Sequence, residues 1–328
     1  MKPSHLRTAL PRLMAKNRPC FLWGAPGVGK SDLVKQVAAD GKLELRDVRL
    51  SLLDPVDLKG FPTINTVKKQ MTWLPADFLP TKGKGLLFLD EMNSAPQSVQ
   101  AAAYQLVLNR KIGDYTLPAG WSILAAGNRA SDRSIVHTMP AALANRFVHL
   151  DYDVNAEDWD HWAANNDLHT DIRAFIRFRP HLLHAFDPVA NPRAFPSPRS
   201  WAFVNDIYKD HMSQDNEFEL IKGTVGEGTA GEFSAFTRLI KDLPTIEQIM
   251  LSPDKTMIPT APSGMYAIAT AVDDKTTLAN FERVMIYISR LPVEFQTLFM
   301  RGVTRKDIKI GNTKTFIEWG AKNSAVFS

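Results

Sequence analysis

Eight consecutive residues, Gly24-Ala25-Pro26-Gly27-Val28-Gly29-Lys30-Ser31, fit the pattern G-x-x-x-x-G-K-[ST]. Glycines at these places let backbone N–H groups close around phosphate oxygens, and a helix starting behind them adds its positive dipole end. Lys30 can bridge the β- and γ-phosphates of a nucleotide, and the Ser31 hydroxyl can ligate Mg²⁺. Further along, the apolar run Leu86-Leu87-Phe88-Leu89 ends in two acids, Asp90 and Glu91. One carboxylate at a strand tip can hold the metal's shell, and the next can orient or polarise an attacking water. Glu91 has no part in holding nucleotide, so the pair points to hydrolysis rather than binding alone.

These groups need a scaffold, and the patterning supplies one. Cys20-Phe21-Leu22-Trp23 is a short apolar run ended by glycine, which predicts a buried strand, and 30–40 carries apolar residues at helical spacing. Further strands are expected over 47–52, 86–89, 121–126 and 147–150, with a helix over 97–109 and a hairpin turning at Gly113-Asp114. The stretch 54–80 holds five prolines and glycines and is expected to be a long loop or an inserted element. Strands alternating with helices imply a doubly wound, parallel α/β sheet. Beyond Asp151 the pattern turns helical, over 155–165, 170–186, 199–213, 233–241, 263–272, 277–290 and 294–301. This predicts an α/β nucleotide-binding core over 1–152, a helical lid over 153–222 and a helical extension over 223–328. A weaker break is expected around 222–231.

With these residues in order, the chain resembles the AAA+ ATPases, and among them the MoxR family. Asp90-Glu91-Met92-Asn93-Ser94-Ala95-Pro96 is close to that family's D-E-[hydrophobic]-N-R-A-P signature, although Ser94 stands where arginine is usual and no role for that arginine carries over. The resemblance implies that Asn128, in Ala125-Ala126-Gly127-Asn128, is sensor 1 and helps position the lytic water. It implies that Arg146, in Ala144-Asn145-Arg146-Phe147, is the arginine finger that reaches a neighbour's γ-phosphate. It implies that Arg199, in Ser197-Pro198-Arg199-Ser200, is sensor 2. The hairpin at 110–118 is similar to the insertion before sensor 1, and 54–80 to the insertion in the second helix of the core. The resemblance covers 18–215 well and the rest loosely. ATP rather than GTP follows from it, since nothing before the phosphate loop identifies the base. An arginine supplied in trans requires an oligomer, and a head-to-tail contact repeated by rotation closes into a ring. The family's rings are usually hexamers, often working with a separate von Willebrand factor A domain protein to remodel or mature other assemblies.

Composition limits the alternatives. Hydrophobic residues at 45% and charged residues at 23% are the mix of a globular chain. A net charge of +4 is too small to argue for nucleic acid, although a pI near 9.0 leaves that option open. The rival reading, a motor or loader acting on nucleic acid, is weakened by the hairpin turn Gly113-Asp114-Tyr115, which is less basic than a phosphate-tracking loop. A scaffold with little turnover is disfavoured by Glu91, Asn128 and Arg146. The single cysteine, Cys20, allows no internal disulfide and is expected to be a buried strand residue. No apolar run approaches the roughly 18 residues that span a bilayer, and the charged N-terminus is no signal peptide, so a soluble cytoplasmic protein is expected. Several further signals are discounted. Gly226-Glu227-Gly228-Thr229-Ala230-Gly231 spells G-x-G-x-x-G without a preceding strand and is expected to be a flexible turn. His181 and His184 lack companions for a metal site. Trp159, Trp162 and Trp201 are expected in a helical core. Arg173, Arg177 and Arg179, with Phe175 and Phe178 between them, are expected on a solvated helix face. Arg129 and Arg133 are expected to be solvated charges.

Overall fold

The computed structural model describes residues 1–67, 69–132, 137–190, 192–209 and 213–323. It divides into two compact units: Met1–Asn155 with Asp187–Asn191, and Ala156–Phe186 with Pro192–Ser328.

The first unit runs α1 (Pro3–Met14), β1 (Cys20–Trp23), α2 (Lys30–Asp40), β2 (Glu44–Arg49), α3 (Pro55–Lys59), β3 (Phe61–Asn65), β4 (Gln70–Leu74), β5 (Gly85–Asp90), α4 (Gln97–Asn109), β6 (Lys111–Ile112), β7 (Tyr115–Thr116), β8 (Trp121–Gly127), α5 (Ala141–Ala144) and β9 (Val148–Asp151). Five strands form a parallel sheet in the order β2-β5-β8-β1-β9. Its central strands are apolar without alternation because both faces are covered. On one face Phe21, Leu87, Leu89, Ile123 and Ala125 pack under α4 through Val99, Ala103 and Leu106. On the other, Cys20, Leu22, Leu86, Phe88 and Leu124 pack under α1 and α2 through Leu6, Leu10, Leu33 and Val37. Burial of this kind stabilises by about 25 cal/mol per Å² of apolar surface. It also explains Cys20, whose thiol is pushed by burial up to about 12 and kept inert.

The inserted element over 54–80 is real structure. A capping box at Asp54 and Asp57 starts α3, and β3 and β4 pair as an antiparallel hairpin from Phe61↔Leu74 to Asn65↔Gln70. The expected strand over 47–52 is displaced: β2 starts at Glu44 and stops at Arg49, and Leu50–Leu52 form a 3₁₀ turn. As an edge strand, β2 is half solvated and lacks the apolar signal that marks β5.

The second unit contains, among the described residues, α6 (Ala156–Asn165), α7 (Thr170–Phe178), α8 (Pro198–Lys209), α9 (Gln214–Val225), α10 (Glu227–Ile240), α11 (Ile246–Leu251), α12 (Pro262–Lys275), α13 (Phe281–Ile288), α14 (Val293–Lys306) and α15 (Lys314–Lys322). Its cores include Trp201, Phe175 and Phe233 in mutual ring contact, and Val272, Phe281, Phe299 and Met300. Trp159 and Trp201 are buried and Trp162 is half-buried. α7 ends at Phe178, short of the expected 186, because Pro180 follows. The expected break over 222–231 shrinks to one residue. Gly226, at φ 85°, separates α9 from α10, while Gly228 and Gly231 lie inside α10, so the glycine run is no loop. Helices α9, α11 and α15 were without a sequence expectation.

Arg173 and Arg177 are not on a solvated face. Arg173 is 4% exposed and bonds Asp160 (2.9 Å) and Asp274; Arg177 bonds Asp160 (2.6 Å) and Asp273 (2.9 Å). Arg179 is half-buried, pairs with Glu232 at 3.0 Å and lies over the Phe178 ring. The helix face that reads as basic in sequence is neutralised by carboxylates from α6 and α12.

Candidate nucleotide-phosphate site

The site forms where the carboxyl ends of β5, β8 and β1 lie side by side, the position at which open α/β sheets bind ligands. β1 ends at Trp23 and the chain turns through Gly24–Gly29 into α2. Gly27 (φ 76°) and Gly29 (φ 97°) take left-handed conformations open to glycine at no steric cost. Gly29 is the N-cap of α2, so the loop's amides and the helix dipole share one end of the helix. The loop is held down from both sides, by Gly24 N–H to the Gly127 carbonyl (3.3 Å) and Tyr152 N–H to the Trp23 carbonyl (2.7 Å). The Tyr152 side chain lies directly beneath. A Cβ on Gly24 would come within 3.3 Å of it.

Lys30 Nζ donates to the carbonyls of Gly24 (2.6 Å) and Ala25 (3.1 Å) and to Asn128 Oδ1 (2.9 Å). The Ser31 hydroxyl donates to Asp90 Oδ2 at 2.8 Å. Asp90 is buried, and its other oxygen accepts the Glu91 N–H at 2.9 Å. Phosphate loop, strand-tip acid and Asn128 therefore meet, although Lys30 and Asn128 lie 98 positions apart. Glu91 stands beside them in a left-handed conformation (φ 54°), its carboxylate accepting from the Ser51 hydroxyl. Loss of hydration, and then repulsion from Asp90, raise the Asp47 carboxyl above its ordinary range, with Lys35 and Arg49 opposing and Glu91 adding to the rise. An oxygen-only donor set with surplus negative charge suits a hard divalent cation such as Mg²⁺, which Ser31 and Asp90 would hold. Such an ion would neutralise charge on the phosphates.

Two residues not expected from sequence support this arrangement. Asn93, within the 90–96 signature, donates through Nδ2 to the Asn128 carbonyl at 2.7 Å. Ser51 faces Glu91. The signature itself pointed to Asn93, whereas Ser51 has no local signal and is marked only by following the strand next to β5.

The remaining candidates lie elsewhere. Arg146 is exposed in the turn between α5 and β9. Because β9 runs parallel to β1, with Val148 opposite Cys20, this turn sits at the other end of the sheet from Gly24. Four strand residues at about 3.3 Å each separate the two ends. Arg199 belongs to the second unit, exposed on the first turn of α8. Arg129 is a correction: rather than a solvated charge it is half-buried, 3.5 Å from Asp151 and 3.2 Å from Asp153, because the chain folds back along β9. Arg133 lies outside the described residues. His181 and His184 join no group of three metal-ligating side chains among the described residues. Among those residues, too, no helix is long and apolar enough to cross a membrane.

A glycine-rich loop capping a helix, a lysine aimed back across it and a strand-tip acid on its serine define a P-loop nucleotide-hydrolysing domain. Residues 20–151 match the model of the ATPase family associated with various cellular activities (AAA). Midasin of Giardia intestinalis is 31% identical over 169 residues, which make up 48% of this chain. The chain spans 3% of Midasin's length. Among solved structures, the RuvB Holliday junction branch migration motor of Thermotoga maritima is 15% identical, covering 88% of this chain and 85% of that one, with a TM-score of 0.40. NtrX of Brucella abortus, in complex with ATP, is 14% identical, covering 98% of this chain and 66% of that one, with a TM-score of 0.37.

Proposed function

We propose that the chain hydrolyses Mg²⁺-ATP at sites completed between subunits of a closed homo-oligomeric ring, a hexamer by family resemblance. The ring's work would be to remodel or mature a protein complex, together with a separate von Willebrand factor A domain protein. The observation that carries the reading is the convergence of Lys30, Ser31, Asp90 and Asn128 on one loop, with Glu91 alongside. In it, Gly24, Ala25, Pro26, Gly27, Val28 and Gly29 cradle the phosphates and Lys30 bridges them. Ser31 and Asp90 serve the cation, Glu91 polarises the water and Asn128 positions it. Arg146, at the far end of the sheet from its own loop, is free to serve the next subunit, and Arg199 acts as sensor 2. The β3–β4 hairpin favours a protein client over nucleic acid, since its two strands expose Phe61, Ile64, Met71 and Leu74 and carry no basic residue.

Turnover per protomer, measured against protein concentration, tests this. A steep rise to a plateau is expected, because Arg146 would have to come from a neighbouring subunit. Constant turnover per protomer down to full dilution would sink the shared site. Glu91→Gln should keep ATP binding while turnover falls by roughly 100-fold or more, and Lys30→Ala should lose binding itself. Stimulation by a von Willebrand factor A protein supports the remodelling role; salt-sensitive stimulation by DNA favours the nucleic-acid motor instead.

A further inference from the structure

One face of the sheet next to the phosphate loop carries four rings, Phe21 and Trp23 on β1, His149 on β9 and Phe147 immediately before it. Phe21 lies 4.3 Å from Trp23 and 5.5 Å from Phe147, and the Trp23 and His149 rings lie 5.9 Å apart with an interplanar angle of 22°. Within this cluster His149 makes two polar contacts. Its Nδ1 is 2.9 Å from the Trp23 indole Nε1, and its Nε2 is 2.8 Å from the Ala144 carbonyl oxygen. An indole N–H only donates and a carbonyl oxygen only accepts. Nδ1 is therefore the bare acceptor, and Nε2 carries the proton. The two partners together select one neutral tautomer, in which the imidazole is a bridge with a defined direction.

What the bridge connects matters for the proposed reaction. Trp23 is the residue before Gly24 and so begins the phosphate loop. Ala144 ends α5, two residues before Arg146, and the Arg146 N–H is itself tied to the Leu143 carbonyl at 3.0 Å. We infer that His149 is a positioning residue. It fixes the turn carrying Arg146 against the strand carrying the phosphate loop, so that the arginine a subunit offers to its neighbour is oriented by that subunit's own loop. The inference rests on Arg146 acting in trans.

Mixed rings separate this role from simple structural support. Alone, His149→Ala should lower kcat roughly tenfold or more with little change in KM for ATP, since a misplaced arginine affects the transition state and not nucleotide binding. Trp23→Phe, which keeps a ring but removes the donor, should do the same. His149→Gln, whose amide offers one acceptor and one donor, should recover most of the activity. Mixed with Glu91→Gln subunits, which hydrolyse nothing but donate an intact Arg146, His149→Ala subunits should regain turnover. Mixed with Arg146→Ala subunits they should not, because neither subunit then presents a working arginine. Recovery with Arg146→Ala, recovery with neither partner, or a His149→Ala protein as active as the parent overturns the inference. The control mixture of Arg146→Ala with Glu91→Gln tests the underlying reading separately: if it gains nothing over its components, it is the trans arginine that fails.

Discussion

Three short contacts hold the polar residues of the site in place: Ser31 to Asp90, Lys30 to Asn128, and Ser51 to Glu91. The third has a different character from the others. It engages Glu91, the carboxylate proposed to polarise water, and turns it toward a hydroxyl in the 3₁₀ turn that follows β2. Ser51→Ala should release that carboxylate, and basal turnover at saturating ATP is expected to rise about two- to fivefold, the worth of roughly one hydrogen bond. A fall would show that Ser51 orients Glu91 for catalysis rather than restraining it. The loop residues proposed to bind phosphate are legible in the sequence because the motif is contiguous and each member's chemistry is local. Ser51 is not, because its relevance comes from the β2–β5 pairing, which brings Arg49 opposite Asp90.

At the scale of elements, the expected strands β1, β5 and β8 and helices α2 and α4 follow from apolar runs buried on both faces or on one stripe. The failures have a common cause. β2 and the ends of α7 and α13 are half solvated or cut by neighbouring turns, so periodicity alone misplaces them. Arg173 and Arg177 read as solvent-facing because their carboxylates, Asp273 and Asp274, lie about a hundred positions away on α12 and leave no trace in the local pattern. Close packing between elements makes its own prediction at Gly127, the last residue of β8. A Cβ there would stand 2.0 Å from Asn93 Oδ1 and 2.9 Å from Phe21 Cζ. Gly127→Ala should therefore push Asn93 off the Asn128 carbonyl, costing about 1–3 kcal/mol in denaturant unfolding and lowering kcat. Native stability with normal turnover would show that the strand end yields more easily than its packing implies.

At the scale of the whole molecule, the two units rest on different physics. The first is an apolar sandwich, whereas the second adds a buried ionic network to its apolar cores. Burial raises the Asp160 carboxyl, but Arg177 and Arg173, by charge and hydrogen bonding, outweigh it and hold Asp160 below the usual carboxylate range. A carboxylate held low stabilises the fold above its unfolded pKa of about 3.9 and ceases to do so as pH falls through its folded value. Asp273 runs the other way, since burial raises its carboxyl despite Arg177, and offsets part of that loss. The second unit should accordingly weaken in acid below about pH 4. Asp160→Asn should remove about 3–5 kcal/mol at neutral pH, because two nearly buried guanidinium groups lose their shared partner. Circular dichroism during urea titration at pH 7 and pH 4 measures both effects. An Asp160→Asn protein as stable as the parent would mean that Asp273 and Asp274 suffice alone.

The order of strands also governs the order of events during synthesis. β1 is made before every other strand of the sheet, yet in the sheet it lies between β8 and β9, the last two made. Until β8 has been made, the strand leading into the 24–29 loop has neither neighbour, and the loop gains the Gly127 carbonyl and the Tyr152 backbone that hold it down only with residues 127 and 152. Non-local pairing of this kind folds slowly and leaves apolar strands unpaired in the interval. A growing chain therefore carries the whole 24–31 motif long before the contacts that hold it in place are available.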